Sequence, residues 1–355
     1  MPITDATRTG IRAVLADRGP RRQPLSGFDA DYHDIVHYIL RCTYRIWEQR
    51  GIELIRTHYA PAARVITLAG ESASAQAVID STRGMLAAFP DRRLAHEDVI
   101  WCRLPGSHGY FSSHRILSRM TQIGASEFGP PTGRVARFRT IADCYVRANR
   151  IYLEWLARDN LLIAQQLGAD PWQVAAALAR KDSAAFVKWR TDAARRLLAS
   201  GRWQSEAPAH APLTRSLRAW VADWAGAINT RNWPRFERLF AAPMRAFLPR
   251  ERRASSAGAL AAYWMELIEA MPDLRVAVDR VTELPARRDE TRVAIRWWAA
   301  GVHANAGRFG RPSGVPVLLF GVSHLRLDAG RVTREWLVFD ELSMLRQIAA
   351  ARLRR

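Results

Sequence analysis

The chain has 355 residues, 48% of them hydrophobic and 25% charged, which excludes a disordered polypeptide and allows two domains, each with its own core. A formal net charge of +19 would ordinarily suggest nucleic acid or anionic membrane as a partner. Only Lys181 and Lys188 are lysines, however, and the arginines are scattered through both halves without a nucleic-acid-binding motif, so no nucleic-acid or membrane partner is expected, while an anionic small molecule stays compatible.

Residues 1–30 read as a polar extension around Arg18-Gly19-Pro20-Arg21-Arg22, with room for one short helix and no need to belong to a core. They carry no signal-type apolar region, and no later stretch reaches membrane-spanning length, so a cytoplasmic location is expected. From Tyr32 to about Glu48 the apolar residues recur at helical spacing, and a second short helix runs from Ile52 to Tyr59, ended by Pro61. Cys42, Cys102 and Cys144 suit neither a disulfide framework nor a zinc site and read as buried apolar residues. His33 and His37 lie four apart on the first helix, but no carboxylate-and-histidine signature completes a site, so no metal is expected. A first domain over 31–170 leads into a helical linker and connector over 171–212, in which Pro171 to Leu198 is helical and the remainder is broken by Gly201, Pro208 and Pro212.

In the second domain, 213–355, helices are expected over Leu217 to Ile228, Arg235 to Phe240 and Ala259 to Met271. Strands come next, at Val276-Ala277-Val278, Arg292 to Trp298, Val315 to Leu327 and Val332 to Phe339. They are separated by turns at Arg287-Arg288-Asp289-Glu290 and Asp328-Ala329-Gly330. Each half places helices before strands, an α+β plan in which a long, curved, mostly antiparallel sheet closes over N-terminal helices and leaves a conical pocket for a small molecule.

The two halves also repeat one phrase. Glu154-Trp155-Leu156, Asp159 and Gln166-Leu167 return as Glu335-Trp336-Leu337, Asp340 and Gln347-Ile348, at an offset of 340 − 159 = 181. Upstream, Phe89-Pro90-Asp91-Arg92-Arg93 corresponds to Met271-Pro272-Asp273-Leu274-Arg275, and Gly129-Pro130-Pro131-Thr132-Gly133 to Gly310-Arg311-Pro312-Ser313-Gly314. Matches in one order at nearly one spacing indicate a duplicated domain.

These motifs resemble the polyketide-cyclase (SnoaL-like) branch of the nuclear transport factor 2-like superfamily. The second half carries the fuller pattern: Arg296-Trp297-Trp298, Gly301-Val302-His303, Pro312-Ser313-Gly314, Gly330-Arg331-Val332, Trp336 and Asp340. In the first half Gln122 replaces His303 and Asn149-Arg150 replaces Gly330-Arg331. The resemblance implies two tandem cone-shaped α+β barrels, no cofactor, and an aldol-type cyclisation, lyase or isomerase step on a carbonyl-containing aromatic or polyketide-like molecule. It carries the general acid/base role to Asp159 and Asp340.

Strand alternation sets Trp336, Val338 and Asp340 on one face, as it does Trp155, Ala157 and Asp159. A carboxyl beside tryptophan and aliphatic walls has its pKa raised toward the working range of an acid–base catalyst, but both aspartates also sit where a helix N-cap would. Further candidates are His324 as a catalytic partner and Arg326, with Asp143 and Tyr145 at the matching positions of the first half; an outward-facing strand surface is the other reading of these four. Trp155 and Trp336 are candidate substrate walls, and His303, with Gln122 as its counterpart, a candidate ligand contact or a solvated loop residue. The alternative to an enzyme is a binding or scaffold protein built as a fused pseudo-dimer, an arrangement compatible with a further homodimer. No phosphate loop, dinucleotide fingerprint or Ser-His-Asp motif is present.

Overall fold

The computed structural model describes residues 2–209, 211–286 and 290–353, so Arg287, Arg288 and Asp289 of the expected turn lie outside the described residues. The chain forms two compact units. Unit 1 is Met1–Arg158 with Gln165–Ala169 and Pro208–Ala211; unit 2 is Asp159–Ala164 with Asp170–Ala207 and Pro212–Arg355.

The helices of the first part of the chain are α1 (Ile11–Ala16), α2 (Ile35–Trp47), α3 (Ile55–His58), α4 (Ala75–Ala88) and α5 (Asn160–Gln166). Its strands are β1 (Tyr59–Thr67), β2 (Gly70–Ser72), β3 (Arg93–Arg103), β4 (Tyr110–Thr121), β5 (Val135–Arg147) and β6 (Arg150–Arg158), in the order β2-β1-β6-β5-β4-β3. The second unit adds α6 (Pro171–Arg180), α7 (Ala184–Ser200), α8 (Arg215–Thr230), α9 (Trp233–Glu237), α10 (Ala257–Ala270) and α11 (Glu341–Arg352). Its strands β7 (Phe240–Phe247), β8 (Arg253–Ala254), β9 (Arg275–Pro285), β10 (Glu290–Val302), β11 (Pro316–Asp328) and β12 (Arg331–Phe339) repeat the same order, β8-β7-β12-β11-β10-β9.

Both sheets are antiparallel except where β1 meets β6 and β7 meets β12 in parallel. Each runs between two free edges, so the expected barrels are open curved sheets: the edge strands of a sheet do not pair with each other. Equivalent helices start alike, with the Ser74 side chain accepting from Ala77 N–H and Ser256 from Ala259 N–H, which satisfies a donor that the first turn would leave unpaired. The β11–β12 hairpin turns at Ala329 and Gly330, both at positive φ (46° and 77°), which favours glycine at the second position.

Two expectations about local structure change. Residues 1–30 are not a loose extension: Val14, Leu25 and Phe28 are buried in one cluster with Tyr32, Ile35 and Tyr38, and Arg22 bridges Asp17 and Asp34 at 2.7 Å each. Their few apolar side chains are too irregularly spaced to announce a core contribution. The helical stretch after Pro171 is two helices, and the second, α7, packs on β10 and β11 of unit 2.

Candidate functional site

Alternation along β6 turns Glu154, Leu156 and Arg158 to the concave side of the first sheet, where they line a cavity of about 160 Å³ enclosed with α2 and α4. Cys42, Cys144, Ile39 and Ile151 wall the Glu154 end. Burial in these surroundings pushes the Glu154 carboxyl up to about 7, against the opposing hydrogen bond that the Tyr59 hydroxyl donates to its Oε2 at 2.9 Å. Burial also pushes the Cys42 thiol up to about 12, so that thiol stays protonated beside the acid. His114, on β4, lines the same cavity; burial holds its imidazole down at about 3, hence neutral, and its Nε2 has no hydrogen-bond partner among the described residues. Thr140 adds a hydroxyl that is likewise unpartnered.

The other end of the cavity is cationic. Arg92 precedes β3 and is 6% exposed, with its guanidinium 4.4 Å from the centre of the Trp47 ring. Burial, with Arg158 nearby, lowers its pKa to about 9, which still leaves it charged at neutral pH. Arg158 pairs with Glu127 at 2.7 Å.

The second unit fills the corresponding space with its own side chains. Register pairs Ile116 with Thr140 in the first sheet and Trp297 with Gly321 in the second, both at the repeat offset of 181 (297 − 116, 321 − 140). A Cβ on Gly321 would lie 2.2 Å from the Trp297 indole, so glycine is required for that ring to lie on the strand. On α10, Tyr263 and Trp264 stand where α4 has Ser81 and Thr82, at 264 − 82 = 182, and Phe339 stands where β6 has Arg158. The rings of Trp224, Trp264, Trp297 and Phe339 run on at successive centroid distances of 6.0, 5.5 and 5.8 Å, all fully buried. Glu335, the counterpart of Glu154, remains at the edge of this packing and accepts from Ser323 Oγ at 2.9 Å.

Burial pushes Glu335 up to about 7 from an ordinary 4.5, partly opposed by Ser323. Between those values the unfolded chain has released the proton that the folded chain keeps, so this group's contribution to stability falls as pH rises from about 4.5 to 7 and is flat above. Glu335→Gln, isosteric and uncharged, is expected to raise stability by about 2–3 kcal/mol at pH 8 and by little at pH 4, read from denaturant midpoints at the two pH values. Equal effects at both would show that Glu335 is not held protonated by the fold.

The residues singled out from sequence lie elsewhere. Cavity-lining Ala142 and Cys144 place Asp143 and Tyr145 on the opposite, convex face of β5, and Trp155 shares that face of β6, 5.5 Å from Tyr145. In the second unit His324 pairs in register with Trp336, and the Arg326 guanidinium lies 5.6 Å from the Trp336 ring, again on the face opposite Glu335. Tyr145 and Trp155 in the first unit, and Arg326 and Trp336 in the second, thus meet on the face opposite the glutamates, and none of the four lines the described cavity. Asp340 caps α11, accepting from Ser343 N–H at 3.2 Å and Ser343 Oγ at 2.7 Å. Asp159 caps α5 through Leu162 N–H at 3.2 Å and accepts Arg250 N–H at 2.6 Å; burial raises its pKa to about 7. His303 is buried and bonded to Ser313 Oγ at 3.0 Å, bracing its turn, as Gln122 does through Ser126, Gly129 and Thr132.

The fold also brings a carboxylate to His37 on α2 and to His33 just before it, which spacing alone could not show: ligand atoms of Asp17, His33 and His37 all lie within 4.8 Å of one another. Asp17 is occupied by Arg22, and His37 Nε2 lies 3.0 Å from Val14 O, so a guanidinium already stands where a cation would compete. Glu154 itself was the residue missed; its signal was the same strand alternation, read on the neighbouring face.

Residues 215–348 match the family model described as SnoaL-like polyketide cyclase. Solved structures with likeness to this chain include AclR from Streptomyces galilaeus, 22% identical over 37% of this chain and 79% of that one, with a TM-score of 0.32. IdmH from Streptomyces antibioticus is 20% identical over 38% and 99% respectively, TM-score 0.33, and a SnoaL-like protein from Jannaschia sp. CCS1 is 18% identical over 41% and 99%, TM-score 0.35. No curated protein matches the sequence. No helix among the described residues is long and apolar enough to cross a membrane. The family match thus covers residues 215–348 of the second half, and the strand order of that half is the one the first half also builds.

Proposed function

We propose that this protein is an acid–base enzyme acting on a small aromatic carbonyl compound in the cavity of the first unit, with Glu154 as the proton-transferring group, and that the second unit is a filled, non-catalytic copy. The observation that carries this reading is the contrast between two equivalent glutamates, both raised to about 7: Glu154 lines the cavity of the first unit, while Trp297 and Trp264 pack on the equivalent side of the second sheet. A carboxyl with a pKa near 7 is ionised often enough to accept a proton and acidic enough to return it. Tyr59 holds one oxygen of Glu154, leaving Oε1 for the substrate.

In the proposed step Glu154 takes a proton from the carbon next to a carbonyl, and the electron pair moves to the carbonyl oxygen as an enolate. Neutral His114 and the Thr140 hydroxyl are the donors available to that oxygen. In a ring closure the enolate carbon attacks a second carbonyl of the same molecule, forming the carbon–carbon bond, and the proton held by Glu154 passes to the new alkoxide. A dry cavity of about 150 Å³ accommodates benzene, so about 160 Å³ suits a ligand of one or two rings.

The test is exchange of protons next to the carbonyl in deuterium oxide, monitored by NMR over a panel of aryl ketones and aryl β-keto esters. Wild-type protein should accelerate exchange for members of the panel, and Ile116→Trp, which crowds the first cavity with a bulkier side chain on its wall, should not. If no compound exchanges faster with the wild type than with Ile116→Trp, the reading fails.

A further inference from the structure

Arg92 is the least expected feature of this cavity. A guanidinium that is 94% buried (6% exposed) normally sits on a carboxylate, yet Arg92 makes no ion pair among the described residues. Its Nε has no hydrogen-bond partner among the described residues, its Nη2 reaches Ser118 Oγ only at 3.5 Å, and its guanidinium lies 4.4 Å from the Trp47 ring centre and 6.0 Å from that of Phe138. Arg158, at the end of β6, lines the same end of the cavity. Arg158 pairs with Glu127, and Arg92 is left without a carboxylate partner among the described residues.

Neither cation is required by the fold. The second unit has Leu274 at the position of Arg92 and Phe339 at that of Arg158, and builds the same sheet with them. The arginines line the cavity of the first unit, whereas Phe339 packs against the buried Trp297 ring in the second.

We propose that the ligand of the first unit is an anion, a one- or two-ring aromatic compound bearing a carboxylate that pairs with Arg92 at the opposite end of the cavity from Glu154. This rests on the reading of that cavity as the working site. Glu154 and Arg158 are four residues apart on one strand, so their Cα atoms are ~13 Å apart at ~3.3 Å per residue. Arg92 and Arg158 line the same cavity as Glu154, so an aryl group with a carboxylate at one end and the reacting carbon at the other would be held between them. A planar guanidinium gives a carboxylate two parallel hydrogen bonds, and Trp47 holds its plane by stacking. The arrangement also orients the substrate, because a carboxylate near Glu154 would meet a second acid instead of a cation.

The experiment is calorimetric titration with isosteric acid and amide pairs, benzoate against benzamide and 2-naphthoate against 2-naphthamide, on the full chain. Wild type should bind at least one acid 10-fold or more tighter than its amide. Arg92→Leu, the second unit's own residue, should abolish that preference, and Arg92→Lys should retain part of it. Equal binding of acid and amide by the wild type, no binding of either pair, or a preference that survives Arg92→Leu would each overturn the proposal. Glu154→Gln separates the two readings: if it keeps the acid preference and also keeps full proton exchange, the anion site stands and the catalytic reading falls.

Discussion

Glu154→Gln is expected to lower kcat/KM for proton exchange by about 10²–10⁴-fold, the range for loss of a positioned general base, with the protein still folded. Glutamine matches glutamate in volume, and its Oε1 can still accept from the Tyr59 hydroxyl, so the cavity keeps its walls and loses only the basic oxygen. For the wild type, the base must be ionised, so kcat/KM should rise with pH and level off through about 7, the value at which burial sets Glu154. Asp159 titrates in the same range but accepts Leu162 and Arg250 N–H groups and does not line the cavity, so Asp159→Asn should keep both rate and pH profile at a cost in stability. Glu335→Gln should likewise leave exchange unchanged. A rate that survives Glu154→Gln and collapses with Asp159→Asn would return the catalytic role to the aspartate that strand spacing first suggested.

That contrast shows how far residue patterns reach. The duplication, the helices-then-strands order and the long strands of the second half were legible because each rests on periodicities of several residues. Short edge elements such as β2 and β8 were not, having too few residues to set a pattern. The site was half legible. Alternation correctly separates Trp155 and Asp159 from Glu154 and Leu156, but it cannot say which of the two faces is concave, and the conspicuous tryptophan drew attention to the convex one. Nor could the sequence show that one cone is filled: Trp297 and Gly321 lie 24 positions apart (321 − 297), and their meaning appears only when register sets one on the other. The N-terminal residues obey the same logic, since Val14, Leu25 and Phe28 form no periodic stripe and are recruited one at a time.

The filling of the second cone makes its own large prediction. Trp297→Ala should destabilise the second unit by about 3–5 kcal/mol, the usual cost of removing a fully buried tryptophan and leaving its volume empty. The Trp264 and Phe339 rings on either side are themselves fully buried, and Gly321 has no side chain with which to close the gap. Gly321→Ala attacks the same contact from the other side: the added methyl would overlap the indole, and the ring must leave its rotamer or the strand must move. By contrast, Ile116→Ala in the first unit removes side-chain atoms from the wall of a space that is already open, and should cost less than Trp297→Ala. Chemical denaturation resolved into separate transitions for the two units would read both numbers, because tandem domains need not unfold in one step. If Trp297→Ala costs no more than Ile116→Ala, the second cone is not held together by its aromatic filling, and the distinction between a working cavity and a packed one loses its physical basis. If the cost is large and the variant then binds a one-ring aromatic compound that the wild-type second unit excludes, the indole occupies the space that the first unit keeps for a ligand.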